Sequence, residues 1–381
     1  MEVLLEGINQ LTWQTFVMFA VGGILIFLAI KKDYEPMLLL PIGFGAIIVN
    51  IPFSAVWEYD GHEGILQFFY NVGILTEVFP LLIFVAVGAM IDFSPLLKNP
   101  KFFFLGAAAQ FGIFGTVVAA MAIGNAFPEF LDIGLKEAAS IGIIGAADGP
   151  TSIFVAAKFA PDLLGPISVA AYSYMALVPI IQPPVIRALT SRKERMMRMD
   201  YSDKKLSRTT IVLFPIVVTV IAGILAPVCV PLVGMLMFGN LIRECGVLER
   251  LSLSAQNELA NLVTLFLGIV IGSTMQADKF LQPTTLFILA LGFVAFVFDT
   301  AAGVMFVKFL NLFSKSKINP MVGAAGISAF PMSSRIVQRM AAKEDPTNFV
   351  LMPAVSANVA GQVASAIAGG MVLAIVPSLL G

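Results

Sequence analysis

The sequence predicts an all-α polytopic membrane protein with about nine or ten transmembrane helices. It further predicts two inverted-topology repeats, each with a broken re-entrant segment. Three observations carry this expectation: an extreme apolar composition, basic residues confined to a few loops, and short segments that recur in the same order in both halves. Of 381 residues, 58% are hydrophobic and 12% charged, and the mean hydropathy is +0.92. A soluble domain carries roughly 25% charged residues, and no water-facing surface is that apolar. The net charge of -1 leaves no basic face for nucleic acid, which is excluded as a partner. Cys229 and Cys245 are too few and too far apart for a disulfide framework or a zinc site. Glu2 and Glu6 precede the first apolar run where a removable leader would carry basic residues, so that run is expected to stay in the membrane.

Apolar runs long enough to cross a bilayer, about 20 residues each, occupy 12–30, 37–53, 78–96, 102–124, 163–186, 210–242, 258–275, 284–312 and about 350 to the end. Pro227 and Pro231 near the middle of 210–242 predict that this run turns back on itself. Orientation follows from Lys and Arg, which favour the cytoplasmic side. Lys31 and Lys32, Lys98 and Lys101, and the loop 187–208, with eight basic residues against three acids, are placed inside. The loops holding Glu58, Asp60 and Glu63, and then Glu129, Asp132 and Glu137, are placed outside. Two full crossings between 137 and 187 would break this alternation. One segment must therefore enter and leave by the same face. It is assigned to 138–158, which is interrupted by Gly145, Asp148, Gly149 and Pro150; irregular backbone at membrane depth is tolerated only inside protein or beside a cavity.

The halves echo each other at three places. Residues 82–93 resemble 265–275, Gly145-Ala146-Ala147-Asp148 answers Gly323-Ala324-Ala325-Gly326, and Ala171-Tyr172-Ser173-Tyr174 answers Ala354-Val355-Ser356-Ala357. By the charge pattern the copies run in opposite directions, an arrangement that puts substrate and ion sites at matching broken helices near the midplane. The organisation expected is N-terminal helices 1–77, a first repeat 78–190, a basic loop with connecting helices 191–257, and a second repeat 258–381 broken at 318–342.

Asp148 is the leading candidate, because a carboxylate at membrane depth costs several kcal/mol unless it faces a cavity or partner. Its structural alternative is an N-cap before Gly149-Pro150-Thr151, and the two roles are compatible. Asn358 is either a carbonyl ligand to a hard cation or an interhelical hydrogen bond. Tyr174 offers a phenol for proton transfer or a packed ring. Arg335 suits a carboxylate or a snorkelling helix end. Asp92 and Asp299 read as capping or packing residues.

At these residues the chain resembles a known family. Gly145-Ala146-Ala147-Asp148-Gly149-Pro150-Thr151, Ala171-Tyr172-Ser173-Tyr174-Met175-Ala176-Leu177-Val178-Pro179, Gln182-Pro183-Pro184 and Phe238-Gly239-Asn240-Leu241-Ile242-Arg243-Glu244-Cys245-Gly246-Val247 closely resemble the beta subunit of the sodium-pumping, biotin-dependent decarboxylases. The resemblance covers almost the whole chain. It implies a carboxybiotin decarboxylase of the bacterial cytoplasmic membrane that couples loss of carbon dioxide to Na+ export. The implied partners are a biotin carrier protein, a carboxyltransferase (alpha) subunit and a small membrane gamma or delta subunit, with a homotrimer inside the larger complex. The upstream donor acid is set by the separate carboxyltransferase. The functional positions it implies fall on Asp148, Tyr174, Asn319, Gly323, Ser328, Arg335 and Asn358. On that reading Asp148 and Asn358 ligate Na+, and Asn319 and Ser328 complete a second ligand set. Arg335 holds the carboxybiotin carboxylate, Tyr174 delivers the replacement proton, and the basic loop 187–208 docks acidic partner surfaces. The rival reading is a secondary Na+-coupled transporter of a small organic anion, without chemistry.

Overall fold

The computed structural model describes residues 7–129, 131, 133–199, 205–314 and 316–380. Glu2, Glu6, Asp132 and residues 200–204 of the basic loop lie outside the described residues. Where the chain is described it is helical almost throughout, as the composition requires: in hydrocarbon only a helix or a closed barrel satisfies every backbone group.

The helices follow the apolar runs. α1 (Trp13–Lys32) ends on its two lysines, and α2 (Pro36–Val49) begins at a proline, at home in a first turn. A two-residue hairpin, β1 (Glu58–Tyr59) with β2 (His62–Glu63), occupies the acidic loop. Next comes a pair unforeseen as such, α3 (Ile65–Leu75) and α4 (Val78–Met90), bent by 61°. α5 (Pro100–Ala126) is interrupted at Gln110. The first broken segment is α6 (Leu135–Gly142), a 3-10 turn over Ile143–Ala146, and α7 (Gly149–Phe159). α8 (Leu164–Leu189) leads into the basic loop. The long run 210–242 is two helices, α9 (Arg208–Leu225) and α10 (Pro227–Glu244), divided where Pro227 forbids continuation. α11 (Glu249–Ser273) and α12 (Pro283–Phe313) follow. The second broken segment is a turn over Met321–Ala324 and then α13 (Met332–Glu344), and α14 (Leu351–Leu380) closes the chain. Among the described residues eight helices are long and apolar enough to cross a membrane, beside the bent pair and the shorter α2. The protein is a multi-pass membrane protein.

Small residues set the tertiary packing. α2 packs on α11 and α4 on α10, and both contacts are backbone to backbone. A methyl group on Gly272 would overlap the Ile42 carbonyl, and one on Gly88 the Leu236 carbonyl. Lipid tails are as apolar as leucine, so helices associate through such close approach rather than through the hydrophobic effect. α8 crosses α12, and α14 crosses the first half of α5.

The basic loop is tied to the chain's own acids: Arg195 and Arg192 pair with Glu344 at 2.8 and 3.4 Å, Arg198 pairs with Asp345 at 2.9 Å, and Lys308 reaches Glu194 at 3.1 Å. Three of its arginines therefore clasp α13 and the residue after it, while Arg192 and Arg198 stay largely exposed. The bonds Arg195 donates hold the Glu344 carboxyl below its usual range. Two hydrogen bonds from Thr347 and one from Arg198 hold Asp345 down at about 2. A depressed carboxyl contributes stability above its unfolded pKa and loses it as pH falls through the folded value. The clasp is therefore expected to open only as pH falls from the ordinary carboxyl range toward about 2. Hydrogen exchange of the amides of 194–199 against pH checks this: rising exchange on acidification is expected, and flat exchange would refute it.

Candidate functional site

The first broken segment is shaped by its own sequence. Ala147 sits at φ +52, a left-handed conformation unusual for a residue with a side chain, and turns the chain so that Asp148 can start α7. Asp148 caps that helix, its Oδ1 accepting the Thr151 N–H at 3.3 Å. Pro150, without an N–H, follows in the first turn, and the Ser152 hydroxyl donates to the Asp148 carbonyl at 2.9 Å. The cap expected as an alternative is present, and the second carboxylate oxygen remains for other work. Oδ2 accepts the Ser365 hydroxyl of α14 at 2.6 Å, and Asp148 is 5% exposed.

The two broken segments meet here. The Ser328 N–H donates to the Ala146 carbonyl at 3.0 Å, and α14 stitches the junction from one side. Asn358 Nδ2 donates to the Ile327 carbonyl at 2.6 Å, Gln362 Nε2 donates to the Ser328 carbonyl, and the Ser328 hydroxyl donates to the Gly361 carbonyl at 2.9 Å. A methyl on Gly361 would overlap the Gly326 carbonyl, so only glycine permits this approach. Asn358, Gln362 and Ser365 lie on one face of α14 by their i, i+4, i+7 spacing. Tyr172, on α8, is 1% exposed and lies against Gly149, the residue after Asp148.

Three buried oxygens of this cluster, Asn358 Oδ1 and the hydroxyls of Tyr172 and Thr151, have no hydrogen-bond partner among the described residues. An unpaired buried polar atom costs about 1–3 kcal/mol. Asn358 stands on the face of α14 that carries Ser365, Tyr172 on α8 against Gly149, and Thr151 in the first turn of α7. The described residues hold no group of three His, Cys, Asp or Glu arranged for a metal.

The other expected residues make their contacts elsewhere. Asn319 does not share hydrogen bonds with Ser328. Its Nδ2 donates to the carbonyls of Arg195 and Met197 at 3.0 and 2.9 Å, and its Oδ1 accepts the Met321 N–H at 3.1 Å. The amide ties the basic loop to the start of the second broken segment. Gly323 is pressed against Gly303 of α12, where a methyl on either would overlap the other's carbonyl. Tyr174 points its hydroxyl at α12, donating to the Leu289 carbonyl. Arg335, in the first turn of α13, is exposed and has no ion-pair partner among the described residues. Tyr172, Gln362 and Ser365 were not singled out from sequence. A polar stripe at helical spacing along an otherwise apolar α14 is the signal that marks the last two.

Residues 14–376 match the family described as Na+-transporting oxaloacetate decarboxylase beta subunit. The chain is 48% identical to the glutaconyl-CoA decarboxylase subunit beta of Acidaminococcus fermentans, over 97% of this chain and 96% of that one. It is 47% identical to the methylmalonyl-CoA decarboxylase subunit beta of Propionigenium modestum, over 97% and 96%. It is also 47% identical to the oxaloacetate decarboxylase beta chain 2 of Salmonella typhi, over 98% of each. With a family match across nearly its whole length and relatives this similar, the chain belongs to the Na+-transporting decarboxylase beta subunits, multi-pass proteins of the bacterial inner membrane.

Proposed function

We propose that this chain decarboxylates carboxybiotin presented on a biotin carrier protein and couples that step to Na+ export. The observation that carries the reading is the buried Asp148 carboxylate, held by Thr151 and Ser365 where the two broken segments meet, with unpaired buried oxygens on the elements that pack there. Asp148 and Asn358 Oδ1 ligate the ion, with the Tyr172 hydroxyl as a third oxygen. Ser328 shapes the site from the second segment. Arg335, seven residues after Ser328 and without a carboxylate of its own among the described residues, takes the carboxylate of carboxybiotin with its planar fork of donors. Ion and substrate carboxylate thus bear on the same broken segment. A ligand shifts an equilibrium only by its differential affinity for two states, and a shared mobile element gives both ligands something to bias. Moving one charge against 100 mV costs about 2.3 kcal/mol, a load that decarboxylation can carry.

The packing supports an inverted pair of copies wider than 78–190 and 258–381, namely 13–189 and 208–380. In that pairing α2 on α11 answers α10 on α4, and α8 on α12 answers α14 on α5. The names of the relatives, beta chains of several decarboxylases, support a multisubunit complex; its proposed other members are a biotin carrier, a carboxyltransferase and a small membrane subunit, around a trimer of this chain.

The test is carbon dioxide release from carboxybiotin by the purified chain with its partner subunits, with and without Na+. Sodium-dependent release is expected. Sodium flux without any release would make the chain an ion-coupled transporter of organic anions.

The two tyrosines separate by substitution. Tyr172→Phe removes an unpaired hydroxyl and is expected to raise stability in sodium-free buffer by about 1–3 kcal/mol while weakening the response to Na+ about tenfold, the scale of losing one supporting group at an ion site. Tyr174→Phe removes a made hydrogen bond and is expected to cost about 1 kcal/mol of stability with carbon dioxide release retained. Melting curves and sodium titrations of both variants decide it; loss of release in Tyr174→Phe alone would return the proton-delivery role to Tyr174.

A further inference from the structure

α13 (Met332–Glu344) divides its residues between two faces. Ser333, Ser334, Ile336, Val337, Met340 and Ala341 are buried, while Arg335, Arg339 and Lys343 are exposed. The three cations recur at i, i+4 and i+8, so they stand on one face, about 6 Å apart along the axis. None of their side chains has a hydrogen-bond or ion-pair partner among the described residues. A cation facing hydrocarbon is costly, and three in a row exclude lipid tails from this face. It therefore borders water on the cytoplasmic side, where the basic loop lies.

The acids at the C-terminal end of this stripe are already neutralised. Arg192 and Arg195 hold Glu344 and Arg198 holds Asp345, and Arg187, at the end of α8, adds its positive field at Glu344. An excess of basic residues on the cytoplasmic side is general to membrane proteins. In the loop those residues find acids, and on the exposed face of α13 they do not. At its other end the stripe begins in the first turn of α13, which is anchored where Gln182 Nε2 of α8 donates to the Ser333 hydroxyl at 2.7 Å. Unopposed positive charge thus runs from the cytoplasmic clasp down to the second broken segment.

We propose that this stripe docks an acidic surface of the carrier protein. Arg339 and Lys343 hold the protein, and Arg335, one turn nearer the broken segment, receives the carboxylate it delivers. The proposal rests on the reading of Arg335 as the arginine that takes the carboxylate of carboxybiotin. The occupant follows from charge and access. A face that lipid tails cannot cover and that the chain's own acids do not neutralise fits an anionic partner from water, and on that reading the substrate arrives there on a protein. Complementary charge across such a contact acts chiefly on the rate of encounter and fades as ionic strength rises.

In the test, the purified chain with its partner membrane subunit is titrated with carboxylated carrier protein. Binding and carbon dioxide release are followed at fixed sodium while potassium chloride is varied. Arg339→Glu with Lys343→Glu is expected to raise the KM for the carrier about tenfold or more at low ionic strength, with a change in kcat of less than about twofold. The gap to wild type is expected to close as potassium chloride is added. Arg339→Gln with Lys343→Gln is expected to raise KM roughly threefold, and serves if the reversed pair does not fold. Arg335→Gln is expected to lower kcat instead. Lys31→Glu with Lys32→Glu reverses two exposed charges at the end of α1 and is expected to match wild type. A wild-type KM in the folded Arg339 and Lys343 variants, a loss that added salt does not diminish, or an equal loss in the Lys31 and Lys32 variant would overturn the proposal. Unchanged KM with lost binding to phosphatidylglycerol vesicles would make the stripe a lipid headgroup site and overturn it too. If the wild-type chain neither binds nor decarboxylates the carboxylated carrier, the reading of its function fails and takes this proposal with it. If wild type does both and the reversed chain does so equally well, only the dock fails.

Discussion

Asp148→Asn is expected to abolish sodium-dependent carbon dioxide release while leaving the fold in place. The two consequences separate because Asp148 does two jobs with two oxygens. As a cap it accepts the Thr151 N–H, and asparagine caps helices about as well as aspartate. The start of α7 should therefore survive with the amide oxygen on the Thr151 N–H, while the Ser365 hydroxyl donates to the Gln362 carbonyl, already 3.0 Å away, and accepts from the new amide N–H. What is lost is the negative charge. Taking one partner from a buried charge pair costs about 3–5 kcal/mol, so sodium affinity is expected to fall about a hundredfold or more. Ser365→Ala keeps the charge and removes a donor, so its loss is expected to be nearer tenfold. Sodium titration of carbon dioxide release, with melting curves as a check on folding, measures both. Release by Asp148→Asn at wild-type sodium concentrations would remove Asp148 from the ion path.

The largest effect on stability is expected at the α4–α10 crossing. A methyl on Gly88 would overlap the Leu236 carbonyl, and one on Gly239 the Val85 carbonyl. Neither obstacle is a flexible side chain, so the helices must separate along their length. Gly88→Ala is expected to destabilise by about 1–3 kcal/mol, and with Gly239→Ala less than the sum, since one separation relieves both contacts. Gly23, in α1, has nothing within 4 Å of the added methyl, so Gly23→Ala is expected to be neutral or to stabilise by up to about 1 kcal/mol from helix propensity. Melting temperatures in one detergent decide it. Equal effects at Gly88 and Gly23 would show that the crossing is not the constraint.

The sequence by itself determined the class and the place of the first broken segment. Apolar run length fixes where helices form, because hydrocarbon leaves the backbone no other solution, and α5, α8 and α12 fall where composition puts them. Asp148, with Gly149 and Pro150 inside an apolar stretch, marks the first break, since charge and proline at that depth have no place in an unbroken span. Local signals could not say which distant groups complete the site. Tyr172 and Tyr174 are two residues apart on α8, and only packing turns the first toward Gly149 and the second toward Leu289 of α12. Asn319 is an oxygen ligand by resemblance, and only the fold shows that its Nδ2 donates to the carbonyls of Arg195 and Met197. Ser365 joins Asp148 across 217 residues of chain, and Asp299, a packing residue by sequence, proves to be a carboxylate held between two glycines. The reason is common to all four. Which residues can form a helix is decided by the chain near them, whereas which oxygen meets which proton is decided by how closely two helices approach, and glycines on both partners set that distance.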